Sequence, residues 1–82
     1  MALKKSGKVW EDVNLLLEKH GVYDDLKKAG LDPTSMAICS FGRGPNHDVV
    51  IDDRVIGVYN HIAEAVTLTD QEGEPLLWLY KK

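Results

Sequence analysis

From residue 36 to residue 80 the chain is cut by turn residues into five short runs: MAICSF (36–41), DVVID (48–52), RVIGVYN (54–60), AVTLT (65–69) and PLLWLY (75–80). Each is rich in β-branched or aromatic side chains and too short for a stable helix, which is the signature of strands joined by tight connections. DDR and DQEGE mark two of the turns. HIAEA (61–65) is the ambiguous connection. Asn60 is placed to cap a single helical turn there, but a strand continuing through a bulge is the expected reading.

The half before residue 36 has a different period. In KVWEDVNLLLEKH (8–20), Val9, Val13, Leu16, Leu17 and His20 recur at helical spacing, with Trp10 beside them. Glu11 and Asp12 sit near the start and Lys19 and His20 at the end, an order that suits the helix dipole. Gly21 is placed to stop the helix. A second, shorter helix is expected over 22–29, with Val22, Leu26 and Ala29 on one face and Gly30 as its stop. Pro33 disfavours helix at Asp32. The expected architecture is therefore α+β: two N-terminal helices followed by a four- or five-stranded antiparallel sheet, in a single domain over 1–82. Two helices about a glycine turn also suggest a DNA-reading helix-turn-helix. Asp24 and Asp25 argue against it, because they stand at the start of the second helix, where phosphates would be met.

Strand residues alternate sides, so a sheet with one wet face alternates apolar with polar. Several runs here do not. Leu76, Trp78 and Tyr80 oppose Leu77 and Leu79, and Val55 and Tyr59 oppose Ile56 and Val58. Two short helices cover one face of a small sheet and not two. The second face needs a strongly curled sheet, another copy of the chain or a different protein. A chain of 82 residues is short of core, and its single cysteine excludes an internal disulfide. A homodimer is accordingly expected, with Leu77, Trp78 and Leu79 as its interface.

The formal charge is −3, which argues against general nucleic-acid binding. Lys4, Lys5, Lys8, Lys81 and Lys82 would form a local basic patch if the two ends meet. No stretch is long and apolar enough to span a bilayer. The early lysines are followed by a polar helix and not by an apolar core, so no signal-peptide pattern is read and a cytoplasmic protein is expected.

Candidate chemistry is sparse. P-loop, dinucleotide, nucleophile-elbow and zinc-protease motifs are absent, and neither a cofactor nor a metal is expected. Cys39 lies in an apolar run, as a buried inert thiol would. The stretch SFGRGPNHD (40–48) is the one loop with a ligand-binding look. Its glycines permit close backbone approach and positive φ, successive N–H groups in such turns cradle anions, and Arg43 offers a guanidinium fork. Arg43, Asn46 and His47 are the candidate ligand-binding residues, for a nucleotide or other small anion. His47, Asp48 and His61 make the weaker case for a metal-dependent hydrolase, since adjacent strand residues face opposite ways. The expected function is that of a small cytosolic, non-catalytic binding or regulatory protein acting through protein contact, of the inhibitor, antitoxin, immunity or anti-defence type. Its partners would be itself and an unidentified protein.

Overall fold

A computed structural model describes residues 3–40, 44–70 and 72–80. Its elements run β1 (Leu3–Lys4), α1 (Lys8–Lys19), α2 (Val22–Lys28), a 3₁₀ turn (Pro33–Ser35), β2 (Ala37–Ser40), β3 (Asn46–Ile51), β4 (Arg54–Asn60), β5 (Ala65–Thr69) and β6 (Pro75–Tyr80). The class is α+β as expected, but the sheet has six antiparallel strands among the described residues, in the order β1-β2-β3-β4-β5-β6. The extra strand is β1, which precedes both helices and pairs Leu3 with Cys39 and Lys4 with Ile38. Two residues carry no visible strand period, and only their pairing with β2 makes them a strand. No described helix is long and apolar enough to cross a membrane.

α1 buries Val13, Leu16 and Leu17 on its sheet-facing stripe. It touches both β2 and β6, so the sheet curls about it. Trp10 Nε1 donates to the Met36 carbonyl at 2.9 Å, tying the helix to the start of β2. Gly21 takes a left-handed φ of 70° and turns the chain directly into α2. α2 ends in a Schellman motif: Gly30 has φ 86°, its N–H donates to the Lys27 carbonyl at 3.0 Å and the Leu31 N–H donates to the Leu26 carbonyl at 2.9 Å. That motif usually brings together the two residues joined by its longer hydrogen bond, here Leu26 and Leu31.

The strand registers define two rows on the helix-facing side. One runs Ser40–His47–Tyr59–Val66–Leu79, the other Ile38–Val49–Gly57–Leu68–Leu77. Ile38, Val49, Ile51, Tyr59, Val66 and Leu79 from this side close on the helices to form the core. On the other side Cys39, Asp48, Val58, Thr67 and Trp78 form a row. Leu79 is thus 2% exposed while its neighbours Leu77 and Trp78 are 51% and 52% exposed. This corrects the expectation that Leu77, Trp78 and Leu79 share an interface: Leu79 belongs to the core.

The hairpins follow their turn chemistry. Asp52 and Asp53, at φ 51° and 60°, form the two-residue β3–β4 turn, whose twist matches the strands. Asp52 also holds the 3₁₀ turn, accepting from the Asp32 N–H at 2.8 Å and the Ser35 hydroxyl at 3.0 Å. Asp70 Oδ1 accepts from the Glu72 and Glu74 N–H groups, each at 2.9 Å, and closes the β5–β6 turn. Residues 61–64 do not continue β4 as expected. Asn60 Oδ1 accepts from the Ile62 and Ala63 N–H groups at 2.9 and 3.0 Å, and Glu64 adopts φ 54°. The asparagine side chain satisfies backbone donors that a strand would have paired, and the chain reverses.

Candidate functional site

Two features stand out: a chain of polar side chains at the β2–β3 end of the sheet, and an apolar groove toward its β6 edge.

The polar chain begins with register. Ser40 and His47 flank the glycine-rich connection and pair across β2 and β3. The Ser40 hydroxyl lies 2.6 Å from His47 Nδ1. The turn capped by Asn60 brings His61 over the same edge, anchored by its N–H donating to the Pro45 carbonyl at 3.1 Å. His61 Nδ1 then lies 2.7 Å from His47 Nε2. His47 is 9% exposed and rests against the Tyr59 ring, 6.2 Å between centroids. Ser40 and His61 are exposed, so the chain runs from solvent through a buried imidazole to solvent.

Electrostatics keep the middle member neutral. Burial depresses the His47 pKa below its ordinary 6.5, and the charges of His61 and Lys4 depress it further. Tyr59, beneath it, is pushed up to about 12 by burial and by the acids Asp12 and Glu64. Its hydroxyl lies 3.5 Å from Asp12 Oδ2. A histidine whose folded pKa is depressed binds a proton more readily once unfolded, so its contribution to stability is complete above about pH 6.5 and is lost as pH falls below it. The unfolding midpoint in urea is therefore expected to fall between pH 7.5 and pH 5.5. That window lies above the titration of Asp32, whose carboxyl is held below the usual range by hydrogen bonds from Thr34. His47→Gln should flatten the slope. A wild-type midpoint constant across this window would contradict the assignment.

The groove comes from two β-bulges. Register shifts between Val49 and Val50 against β4, and between Leu68 and Thr69 against β6, leave Ile56 and Leu76 as extra residues. A bulge breaks the alternation of sides and re-aims its side chains. Ile56, Leu68, Leu76 and Leu77 on the sheet, with Leu26 and Leu31 from the end of α2, line a groove of about 660 Å³. Asp25, Asp70, Arg54 and His20 also contribute to it. Beside it Trp78 and Tyr80 are half-exposed on the edge strand β6.

Of the anion-loop residues, the structure describes Asn46 and His47. Asn46 and His47 are the first residues of β3 and so point to opposite faces, and both His47 ring nitrogens are engaged within the chain. Arg43 lies outside the described residues, as do Lys81 and Lys82 of the basic patch. The hydrolase trio separates too: His47 and His61 meet, but Asp48 lies in the row of the opposite face. Among the described residues no group of three His, Cys, Asp or Glu side chains is arranged to hold a metal ion. Ser40 escaped the sequence reading. Comparison of the chain with protein-family models, characterised proteins and solved structures finds no match.

Proposed function

We propose that the chain is a small binding protein that acts through protein contact, with the apolar groove and the adjoining β6 as its contact face. One observation carries this reading: Leu76, Leu77, Trp78 and Tyr80 are large, at least half-exposed and consecutive but for Leu79, on a sheet edge that opens onto the groove. Scattered exposed leucines need no explanation, but an edge strand that shows large apolar side chains on both faces, Leu76 and Leu77 to the groove and Trp78 and Tyr80 to the opposite face, has the character of an interface core, where aromatic side chains concentrate. Pro75–Tyr80 carries no charge to repel a second copy of the chain. Self-association through β6 and contact with another protein at the groove are both part of the proposal.

Light scattering tests the first part. At roughly 100 µM the mass should exceed that of one chain, since a stable contact takes about 800 Å² from each partner and this strip is of the smaller, weaker kind. Leu77→Lys should return it to one chain with unchanged circular dichroism. A photo-crosslinking residue at position 78 in extracts of the source cell tests the second. It should yield a discrete adduct that the same residue at exposed Lys27 does not. Monomer at all concentrations together with no position-specific adduct would overturn the proposal.

A further inference from the structure

We propose that Ser40 is an activated nucleophile that takes the acyl group of a small ester, with His47 as its general base and His61 as the residue that sets the base's tautomer. The inference is independent of the contact face, which lies toward the β6 edge of the sheet, and it requires only one turnover.

Nucleophilic serine chemistry is recognised by roles and geometry and not by fold: a hydroxyl, a base within hydrogen-bond reach, and a third group that orients the base. All three are here in one line, at 2.6 Å from Ser40 Oγ to His47 Nδ1 and 2.7 Å from His47 Nε2 to His61 Nδ1. The nucleophile is exposed and the base nearly buried, so an ester can reach the first while the second stays fixed. No described buried polar side-chain atom is left without a hydrogen-bond partner.

Proton placement decides whether such a line is active. The two imidazoles share one proton across their 2.7 Å contact. If it sits on His47 Nε2, Nδ1 keeps its lone pair and accepts from the Ser40 hydroxyl, the arrangement a general base needs. If it sits on His61 Nδ1, His47 must donate to Ser40 and cannot deprotonate it. The first arrangement puts both rings in the Nε2–H tautomer that free histidine favours, with His61 Nε2–H directed to solvent. Histidine tautomers are set by the partner on the other nitrogen, and His61 as an acceptor sets this one. Burial, and after it the charges of His61 and Lys4, depress the His47 pKa and keep it unprotonated at neutral pH, as a base must be. Lys4 pairs with Ile38 on β1, two residues from Ser40 along β2.

The step balances without a cofactor. Ser40 Oγ bonds to the ester carbonyl carbon as its proton passes to His47 Nδ1. The tetrahedral intermediate then collapses, the bond from carbon to the alkoxy oxygen breaks, and His47 returns the proton to the departing alcohol. The products are O-acyl Ser40, the free alcohol and neutral His47.

p-Nitrophenyl acetate tests this on the full chain. One equivalent of nitrophenolate per chain should appear as a burst, with a single acetyl group located on Ser40 by peptide mass spectrometry. Ser40→Ala should abolish that adduct, and because Ser40 is exposed this variant keeps the fold. His47→Gln should slow the burst by roughly a hundredfold or more, the range general-base assistance supplies. His61→Ala should slow it less and move the pH at half-maximal rate. His61→Gln, whose side-chain oxygen still accepts from His47 Nε2, should restore both, which a merely structural role would not do. Acetyl groups confined to lysines, or a burst unchanged in Ser40→Ala, would overturn the proposal.

Discussion

Leu79→Ala is expected to cost about 2–5 kcal/mol of folding stability, the range for truncating a leucine in a packed core, while Leu77→Ala, two residues earlier on β6, should cost less than about 1 kcal/mol. The two leucines are chemically identical and point to the same side of the sheet, opposite Val66 and Leu68 on β5. What separates them is cover. Leu79 ends the row Ser40–His47–Tyr59–Val66–Leu79, over which α1 lies, and is 2% exposed. Leu77 ends the row whose far part faces the open groove, and half of it meets solvent. In a domain of this size each kcal/mol moves the melting temperature by roughly 4–8 °C, so a thermal scan of both variants is decisive. Equal losses would mean that the helices cover the groove as they cover the core. Leu77 should show its effect in association and not in folding, and a lysine there tests contact without touching the core.

The second large effect is expected at Gly57. Its φ is not among the positive ones, so the backbone itself would accept alanine. An added methyl, however, would lie 2.6 Å from the Thr67 carbonyl oxygen and 3.2 Å from Leu68 Cα. Both are main-chain atoms of the neighbouring strand and cannot swing aside. Where a glycine has room, alanine gains about 0.4–1 kcal/mol by restricting the unfolded chain. Overpacking a close contact costs about 1–3 kcal/mol or more, so the clash wins and Gly57→Ala should destabilise. Alanine at Gly44, where a methyl would meet nothing within 4 Å, is the control. Stabilisation of Gly57→Ala in urea would show that β4 and β5 separate easily.

Gly57 also explains part of what the sequence reading missed. An isolated glycine in a strand marks a bulge or a close backbone approach, and it stands next to Ile56, the residue the bulge inserts. Strict alternation puts Val55 and Ile56 on opposite faces, yet both line the groove. The same holds for Leu76 and Leu77. The sequence analysis placed the apolar excess of β6 on two faces of a regular strand. The bulge adds Leu76 to Leu77 at the groove, while Trp78 and Tyr80 stay on the opposite face as that reading placed them.

In the stretch 40–48 the limit of local reading is the start of β3. Asn46 and His47 are residues that turns favour, and nothing local tells a turn asparagine from one at a strand's start. Pairing with Asn60 and Tyr59 on β4 decides it, and that pairing lies more than ten residues away. Residues 61–65 went the opposite way: a strand continuing through a bulge was the expected reading, but Asn60 captured two backbone donors with its side chain.

By itself the sequence determined the class of fold, the helix limits near Lys8, Lys19, Val22 and Lys28, and the strands around Arg54–Asn60, Ala65–Thr69 and Pro75–Tyr80. It could do so because helical and strand periodicities, glycine stops and turn dipeptides are written within a few residues of each other. Only the tertiary structure decided that Leu3 and Lys4 form a sixth strand, that Leu79 is core while Leu77 is surface, and that Ser40, His47 and His61 stand in one line. Each of these depends on which distant residue lies opposite. Partners across a sheet are chosen by register and by the helix that covers them, and no local period encodes either.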